Sequence, residues 1–281
     1  MNDKIIISAF SDEYAVSFDE QLAAMKRLGI SHIELRIVNG KGVADLTDAD
    51  FKYVKEKLCE YGISVSAIGS PIGKIRLDGD IEGHMLAAER LVSLARELGT
   101  DKMRIFSFYA PEGRDITEFK SEVISLLERL ISIADKHGVT LCHENEAKIY
   151  GDTPERCLEL LEHFGGRLGC VFDMGNFALD GIDSLRAYAM LRPYVKYFHV
   201  KDSLSAGAIV PPGCGEAHIK EILDLHSAKS DAPFFITLEP HLQTFDGLHA
   251  LTDRGFDNPY KFESAAVAFE TALTRLKEII E

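Results

Sequence analysis

The stretch Leu168-Gly-Cys-Val-Phe-Asp173-Met-Gly-Asn176 opens with an apolar run of strand length and ends that run on a carboxylate. Its apolar residues do not alternate with polar ones. A strand of that kind is buried on both faces, the habit of parallel sheets covered by helices. The same design stands around it in Thr140-Leu-Cys-His-Glu144-Asn-Glu146, Val195-Lys-Tyr-Phe-His199-Val-Lys201-Asp202 and Phe234-Phe-Ile-Thr-Leu-Glu239-Pro-His241. Helix-like segments separate these runs. One opens at Thr153-Pro154-Glu155, an N-cap followed by the proline that helices favour at their first position. Others lie near Ser184 to Leu191 and Ile219 to Ser227.

Towards the N-terminus the alternation continues, with strands expected at Lys4–Phe10, His32–Arg36, Ser64–Gly69 and Met103–Phe106. Ser17-Phe-Asp-Glu20 reads as a capping box, with Leu22, Met25 and Leu28 forming an apolar stripe before Gly29 ends the helix. Further helices are expected from Thr47 towards Tyr61, over Asp80–Leu98, over Thr117–His137 and, last, over Phe262–Ile280. Eight strand–helix units predict an α/β fold, a (βα)8 TIM barrel, as a single domain over residues 1–281. An open doubly wound sheet is the competing arrangement, but no GxGxxG follows the first strand. The long segment from Pro240 to Pro259, with His241, Phe245, His249 and Phe256, is expected to be a lid or a subunit contact.

Apolar residues make up 46% of the chain, enough for a large core without staples. Lys and Arg number 31 against 45 Asp and Glu, and the resulting net charge of −14 disfavours nucleic acid and anionic membranes as partners. The five cysteines show no CxxC spacing, so they are expected as free thiols. Cys59, Cys142, Cys157 and Cys170 are read as small hydrophobes and Cys214 as a loop residue. A reducing compartment follows, and with no leader-like or bilayer-length apolar run a cytoplasmic location is expected.

If the strands are parallel neighbours in a barrel, Glu144, Asp173, His199 and Glu239 emerge at one rim. Three carboxylates and one imidazole converging there suit a single divalent cation of intermediate hardness. A lone buried histidine is more often a satisfied core residue, and a lone rim carboxylate often half of an ion pair; their occurrence in series reverses that preference. Glu146 and Lys201 each lie two residues beyond a ligand, so both are candidates to face the pocket, Glu146 to hold a ligand or a substrate hydroxyl and Lys201 to anchor a hydroxyl or a phosphate. Glu146 is equally well read as a partner of Lys148. Glu34 and Arg36 are secondary substrate contacts or a structural pair with one another. His84, early in the third helix, and Glu216, in the glycine-containing loop Gly213-Cys-Gly215-Glu216, are further substrate-binding candidates, and Asp202 is read as a loop residue.

Glu144-Asn145, Phe172-Asp173-Met-Gly-Asn176, His199-Val-Lys201-Asp202, Gly213-Cys-Gly215-Glu216 and Leu238-Glu239-Pro240 occur in that order at strand ends. In these elements, and over nearly its whole length, the chain resembles the xylose-isomerase-like TIM-barrel superfamily of sugar isomerases, ketose 3-epimerases and inosose dehydratases. The resemblance implies one divalent metal ion (Mn²⁺, Mg²⁺, Co²⁺ or Zn²⁺) held by Glu144, Asp173, His199 and Glu239, and a homo-oligomer. It also implies Glu144 and Glu239 as the acid/base pair. The activity implied is proton transfer at a carbon beside a carbonyl, through an enediolate, in a small keto-sugar, polyol or sugar phosphate. A dehydratase acting on a keto-inositol uses nearly the same parts, and a sugar-binding barrel without turnover is a third reading. One position departs from the pattern: where many relatives have histidine, this chain has Asn176, which suits a substrate hydroxyl better than a proton. The third and fourth strands end Gly69-Ser-Pro71 and Ser107-Phe-Tyr109, without the histidines that the superfamily's endonucleases need.

Overall fold

In the computed structural model, which describes residues 3–205, 207–242 and 260–281, the eight apolar runs become neighbouring strands. They are β1 (Ile5–Ala9), β2 (His32–Leu35), β3 (Ser64–Ile68), β4 (Lys102–Ile105), β5 (Thr140–Glu144), β6 (Leu168–Asp173), β7 (Val195–Val200) and β8 (Phe234–Leu238). Their order is β1-β8-β7-β6-β5-β4-β3-β2. Each ladder is parallel. The two ends of this sheet meet at β1 and β2, giving the nearly closed barrel that the alternation predicts.

The helices α1 (Phe18–Leu28), α2 (Asp48–Tyr61), α3 (Ile81–Glu97), α4 (Lys120–Asp135), α5 (Pro154–Phe164), α6 (Met174–Leu179), α7 (Ser184–Leu191), α8 (Ile219–Ser227) and α9 (Ala265–Ile280) surround the strands. Thr47 and Asp50 form a reciprocal capping box on α2, and Thr153 caps α5 by accepting from the Arg156 N–H. The capping box expected on α1 does not form. The Ser17 side chain makes no cap bond, and the Phe18 N–H donates instead to Asn39 Oδ1 at 2.8 Å, from the turn after β2. The start of α1 is tied to a distant turn and not closed by its own cap side chain.

The strand period of two sorts each strand's side chains between two cores. Outward-facing residues join the helices in the main core, to which Leu22, Leu91, Leu127, Leu160 and Phe269 contribute. Inside the barrel, Ala67, Cys142, Val171 and Tyr197 form a small separate cluster, with Phe235 packed against it. Cys142, Val171 and Tyr197 each stand two residues before Glu144, Asp173 and His199, so the ligand candidates lie one interior layer above this plug. Asp173 is the direct register partner of His199, and the Glu239 N–H donates to the Val200 carbonyl. Adjacent strands thus end at nearly the same height.

Three features depart from the sequence expectation. The short α6 intervenes between β6 and α7, and its cap is Asp173 itself, whose Oδ1 accepts the Asn176 N–H at 2.8 Å. Two-residue to three-residue strands form small hairpins at Ile37–Val38 with Lys41–Gly42 and at Asp202–Leu204 with Ala208–Val210. Cys59 is exposed rather than packed, while Cys142, Cys157 and Cys170 are buried free thiols. Phe245, His249 and Phe256 lie outside the described residues, and so does the lid or contact expected of their segment. Among the described residues, no helix is long and apolar enough to cross a membrane.

Candidate metal centre

The four strand-end residues meet. One ligand atom from each of Glu144, Asp173, His199 and Glu239 lies within 4.8 Å of the others, and all four side chains are buried. His199 Nδ1 stands 3.0 Å from Glu144 Oε1 and 3.3 Å from Glu239 Oε2. Asp173 Oδ2 faces Lys201 Nζ at 2.9 Å, and the same ammonium lies 3.7 Å from Glu239 Oε2. The second oxygen of each glutamate meets an arginine: Glu144 Oε2 is 3.2 Å from Arg104, and Glu239 Oε1 is 2.9 Å from Arg36.

Glu34 sits beneath, fully buried. Its Oε2 is 2.9 Å from His199 Nε2 and accepts from Thr237 Oγ1 at 2.8 Å, while Oε1 accepts the Tyr197 hydroxyl at 3.0 Å. An imidazole that donates Nε2–H downward turns the Nδ1 lone pair up towards the three ligand carboxylates. That is the orientation a metal-ligating histidine needs. The Phe10 ring packs edge-on to His199, and the guanidinium groups of Arg36 and Arg104 lie 3.9 and 5.2 Å from its centre.

The electrostatics follow from burial and pairing. Burial raises the Glu144 carboxyl, but His199 and Arg104 outweigh it and hold the group at about 2. Glu239 is likewise kept well below the usual carboxylate range, against burial, chiefly by Lys201 and His241. Asp173 goes the other way: burial outweighs Lys201 and lifts it to about 7. Lys201 itself is pushed up, because Asp173 and Glu239 overcome its burial. Burial is outweighed at His199 too, where Glu34 and Glu144 raise the imidazole.

The fit to a cation can be judged from three oxygens. Glu144 Oε2, Asp173 Oδ2 and Glu239 Oε2 are buried within ion-pair distance of Arg104, Lys201 and His199, without a well-formed hydrogen bond. Three buried carboxylates crowded at one point repel one another, and a divalent ion is the partner that relieves several at once. Hard oxygens with one imidazole nitrogen suit Mg²⁺, Mn²⁺, Co²⁺ or Zn²⁺ better than a soft metal. The donor set fits.

Several other candidates are placed differently from expectation. Arg36 does not pair with Glu34. Its guanidinium bonds Asp12 at 2.8 Å, Glu13 at 3.2 Å and Glu239, because β2 aims it over the end of β1 while Glu34 points into the barrel. Glu34 contacts no open space and so underlies the centre rather than touching substrate. Glu146 pairs with Lys74 at 3.2 Å at the pocket margin. His84 accepts the Gly73 N–H at 2.7 Å and packs against Phe108, which pins the loop after β3 instead of joining the centre. Glu216 is exposed and accepts the Ser205 N–H at 3.0 Å, closing a hairpin. Asn176 Nδ2 donates to the Asn145 carbonyl at 2.9 Å. Asn145 in turn exchanges two bonds with the Asp173 backbone, at 2.9 and 3.0 Å. His143 faces away from the site and meets Ser107 Oγ at 3.0 Å, as strand alternation predicts.

Sequence reasoning missed Asp12, Glu13 and His241, which ring Arg36 and Glu239. The rule that places charged strand ends at the catalytic rim of a barrel could have found the first two, since they follow β1 directly.

A family model described as xylose isomerase-like TIM barrel matches residues 22–278. The chain is 24% identical over 245 residues to a probable L-ribulose-5-phosphate 3-epimerase of Mycoplasma pneumoniae, a match covering 84% of this chain and 75% of that protein. It is 23% identical over 163 residues to a 3-dehydroshikimate dehydratase of Bacillus anthracis, covering 58% of this chain and 56% of that enzyme. A crystal structure of a xylose isomerase-like TIM barrel protein from Mycobacterium smegmatis in complex with magnesium superposes with a TM-score of 0.68 at 19% identity, over 93% of this chain and 88% of that one. The sequence relatives thus include an epimerase and a dehydratase.

Proposed function

Since the chain belongs to the family of xylose isomerase-like TIM barrels, we propose that it is a metal-dependent sugar isomerase or epimerase. Its reaction moves a proton at a carbon beside a carbonyl in a small polyhydroxy substrate. The observation that carries this reading is the convergence of Glu144, Asp173, His199 and Glu239, three carboxylates and one imidazole, all buried and with ligand atoms within 4.8 Å of one another.

When bound, the divalent ion supplies Lewis acidity, lowering the cost of negative charge on the substrate's carbonyl oxygen. The chain's own groups do the rest. Glu144 and Glu239 approach the imidazole as separate carboxylates on non-adjacent strands, β5 and the end of β8, so each can serve a different face of a substrate. For epimerisation one would take the proton from carbon as a base, and the other, having gained a proton from solvent, would deliver that one to the opposite face. Arg104 and Arg36 hold the two carboxylates in place through their second oxygens. Lys201 stays charged and offers donors to a substrate hydroxyl. The water-eliminating variant has its support in the dehydratase relative: a lyase would deliver the proton to the hydroxyl on the neighbouring carbon, which leaves as water as the double bond forms.

Solvent exchange tests this. The Mn²⁺-loaded protein should incorporate deuterium from D₂O at the carbon next to the carbonyl of a ketose, followed by NMR. Glu144→Gln and Glu239→Gln should each slow exchange by ~10²–10⁴-fold, and loss of water would appear as a dehydrated product. No exchange and no elimination with any ketose by metal-loaded protein would overturn the reading.

A further inference from the structure

We propose that the substrate of this site is an uncharged polyhydroxy ketone and not a sugar phosphate, an inference that rests on the proposed function above. Two independent observations carry it.

The first is where the cations are. Among the described residues, seven buried carboxyl groups stand against three buried cationic side chains, Arg36, Arg104 and Lys201. Each of the three is engaged. Arg36 bonds Asp12, Glu13 and Glu239, Arg104 faces Glu144, and Lys201 faces Asp173 and Glu239. At the margin Lys74 is paired with Glu146. A divalent ion would offset two of the four excess negative charges. One of the seven, Asp202, is held by its own loop and not in the pocket, so with such an ion bound the pocket keeps one excess negative charge and no uncommitted positive one. A phosphate dianion entering it would be repelled and would have to break an existing ion pair to gain a counter-charge.

The second is the fate of the backbone donors. In TIM barrels, phosphate groups are typically gripped by amides of the loops after the seventh and eighth strands. Here the loop after β7 does gather such amides, but a carboxylate of the chain fills the nest. Asp202 Oδ2 accepts from Gly213 N at 2.8 Å and from Gly215 N at 2.9 Å. Asp202 Oδ1 accepts from Ser203 N at 2.9 Å and from Ala217 N at 3.1 Å. Gly213 takes the left-handed conformation that this wrap requires, and a side chain on Gly215 would strike Asp202. The anion-binding geometry is already satisfied from within. What remains for a ligand is suited to hydroxyl groups: carboxylate oxygens and one ammonium.

The test compares matched pairs on the Mn²⁺-loaded full chain: L-ribulose with L-ribulose 5-phosphate, and D-fructose with D-fructose 6-phosphate. Calorimetric binding and deuterium exchange are both read. The free ketose of at least one pair should bind at least tenfold more tightly than its phosphate. Inorganic phosphate, with metal held in excess, should not compete. Tighter binding of either phosphate ester, or no measurable binding of either free ketose, would overturn the inference. Exchange with a tightly bound phosphate ester would overturn it while upholding the reaction. Selective binding of free ketoses without exchange or elimination would uphold it while removing the reaction.

Discussion

Glu34→Gln isolates the layer beneath the ligands. The native carboxylate spends both oxygens on three donors, His199 Nε2, Thr237 Oγ1 and the Tyr197 hydroxyl, at 2.8–3.0 Å in a fully buried place. Glutamine keeps the shape but offers one acceptor oxygen, and its amide must point a donor at one of the three. A buried donor left unpaired costs ~1–3 kcal/mol of stability. That part is indifferent to metal. The specific effect falls on His199, whose ring is no longer held with Nε2–H down and the Nδ1 lone pair up. Loss of such an outer partner weakens metal affinity by ~10–100-fold, or about 1.4–2.7 kcal/mol. The assay is chelator competition for Co²⁺ or Mn²⁺ at pH 7 on folded protein, with Thr237→Val as control. That control removes a donor to Glu34 without touching His199, so its affinity should stay within about threefold of wild type. Wild-type affinity in Glu34→Gln, or an equal loss in Thr237→Val, would refute the assignment.

Two other perturbations read the protein's stability. His143 is buried and its imidazole is pushed down to about 4 by burial, against a small opposing pull from Glu144. Below the ordinary histidine value of 6.5 the unfolded chain therefore binds a proton that the folded one refuses. Stability present above that pH is lost as pH falls towards 4, by about 3 kcal/mol. Urea midpoints of metal-free protein between pH 7 and 4 should show this slope, and His143→Asn should flatten it; an unchanged slope in the variant would place the titration elsewhere. Arg36→Met leaves the buried carboxyls of Asp12, Glu13 and Glu239 without their shared cation, and should cost ~3–5 kcal/mol in chemical denaturation. A cost under about 1 kcal/mol would mean that those carboxyls are protonated rather than ion-paired.

What the sequence made legible was whatever depends on local period. Apolar runs such as Leu168 to Phe172 announce strands buried on both faces, and Gly29 ends α1 as expected, at positive φ. Alternation by two also sorted Glu144 from His143 correctly, because it is a property of the single strand. The errors concern contacts between distant segments. Glu34 and Arg36 share a strand face in a sequence reading, yet one is drawn under His199, 165 residues away, and the other over Glu239, 203 away. The start of α1 likewise takes its bond from Asn39, 21 residues away, while the expected Ser17 cap does not form. Glu216 looked like a pocket residue beside Gly215, but the loop's inward-facing anion is Asp202, which no spacing rule marks out.

Asn176 shows how a departure from a family pattern is to be weighed. A histidine there would offer a ring nitrogen; the asparagine offers an amide, and the structure spends it on the Asn145 carbonyl. Asn145 holds the Asp173 backbone by two bonds, and Asp173 caps the helix that carries Asn176. These bonds close a ring that locks the ends of β5 and β6 together, next to the ligands Glu144 and Asp173. The substitution has therefore exchanged a titratable group for a brace. The acid/base burden in the proposed reaction then falls on Glu144 and Glu239, at or beyond the ends of β5 and β8, while the brace ties together the ends of β5 and β6 that carry Glu144 and Asp173.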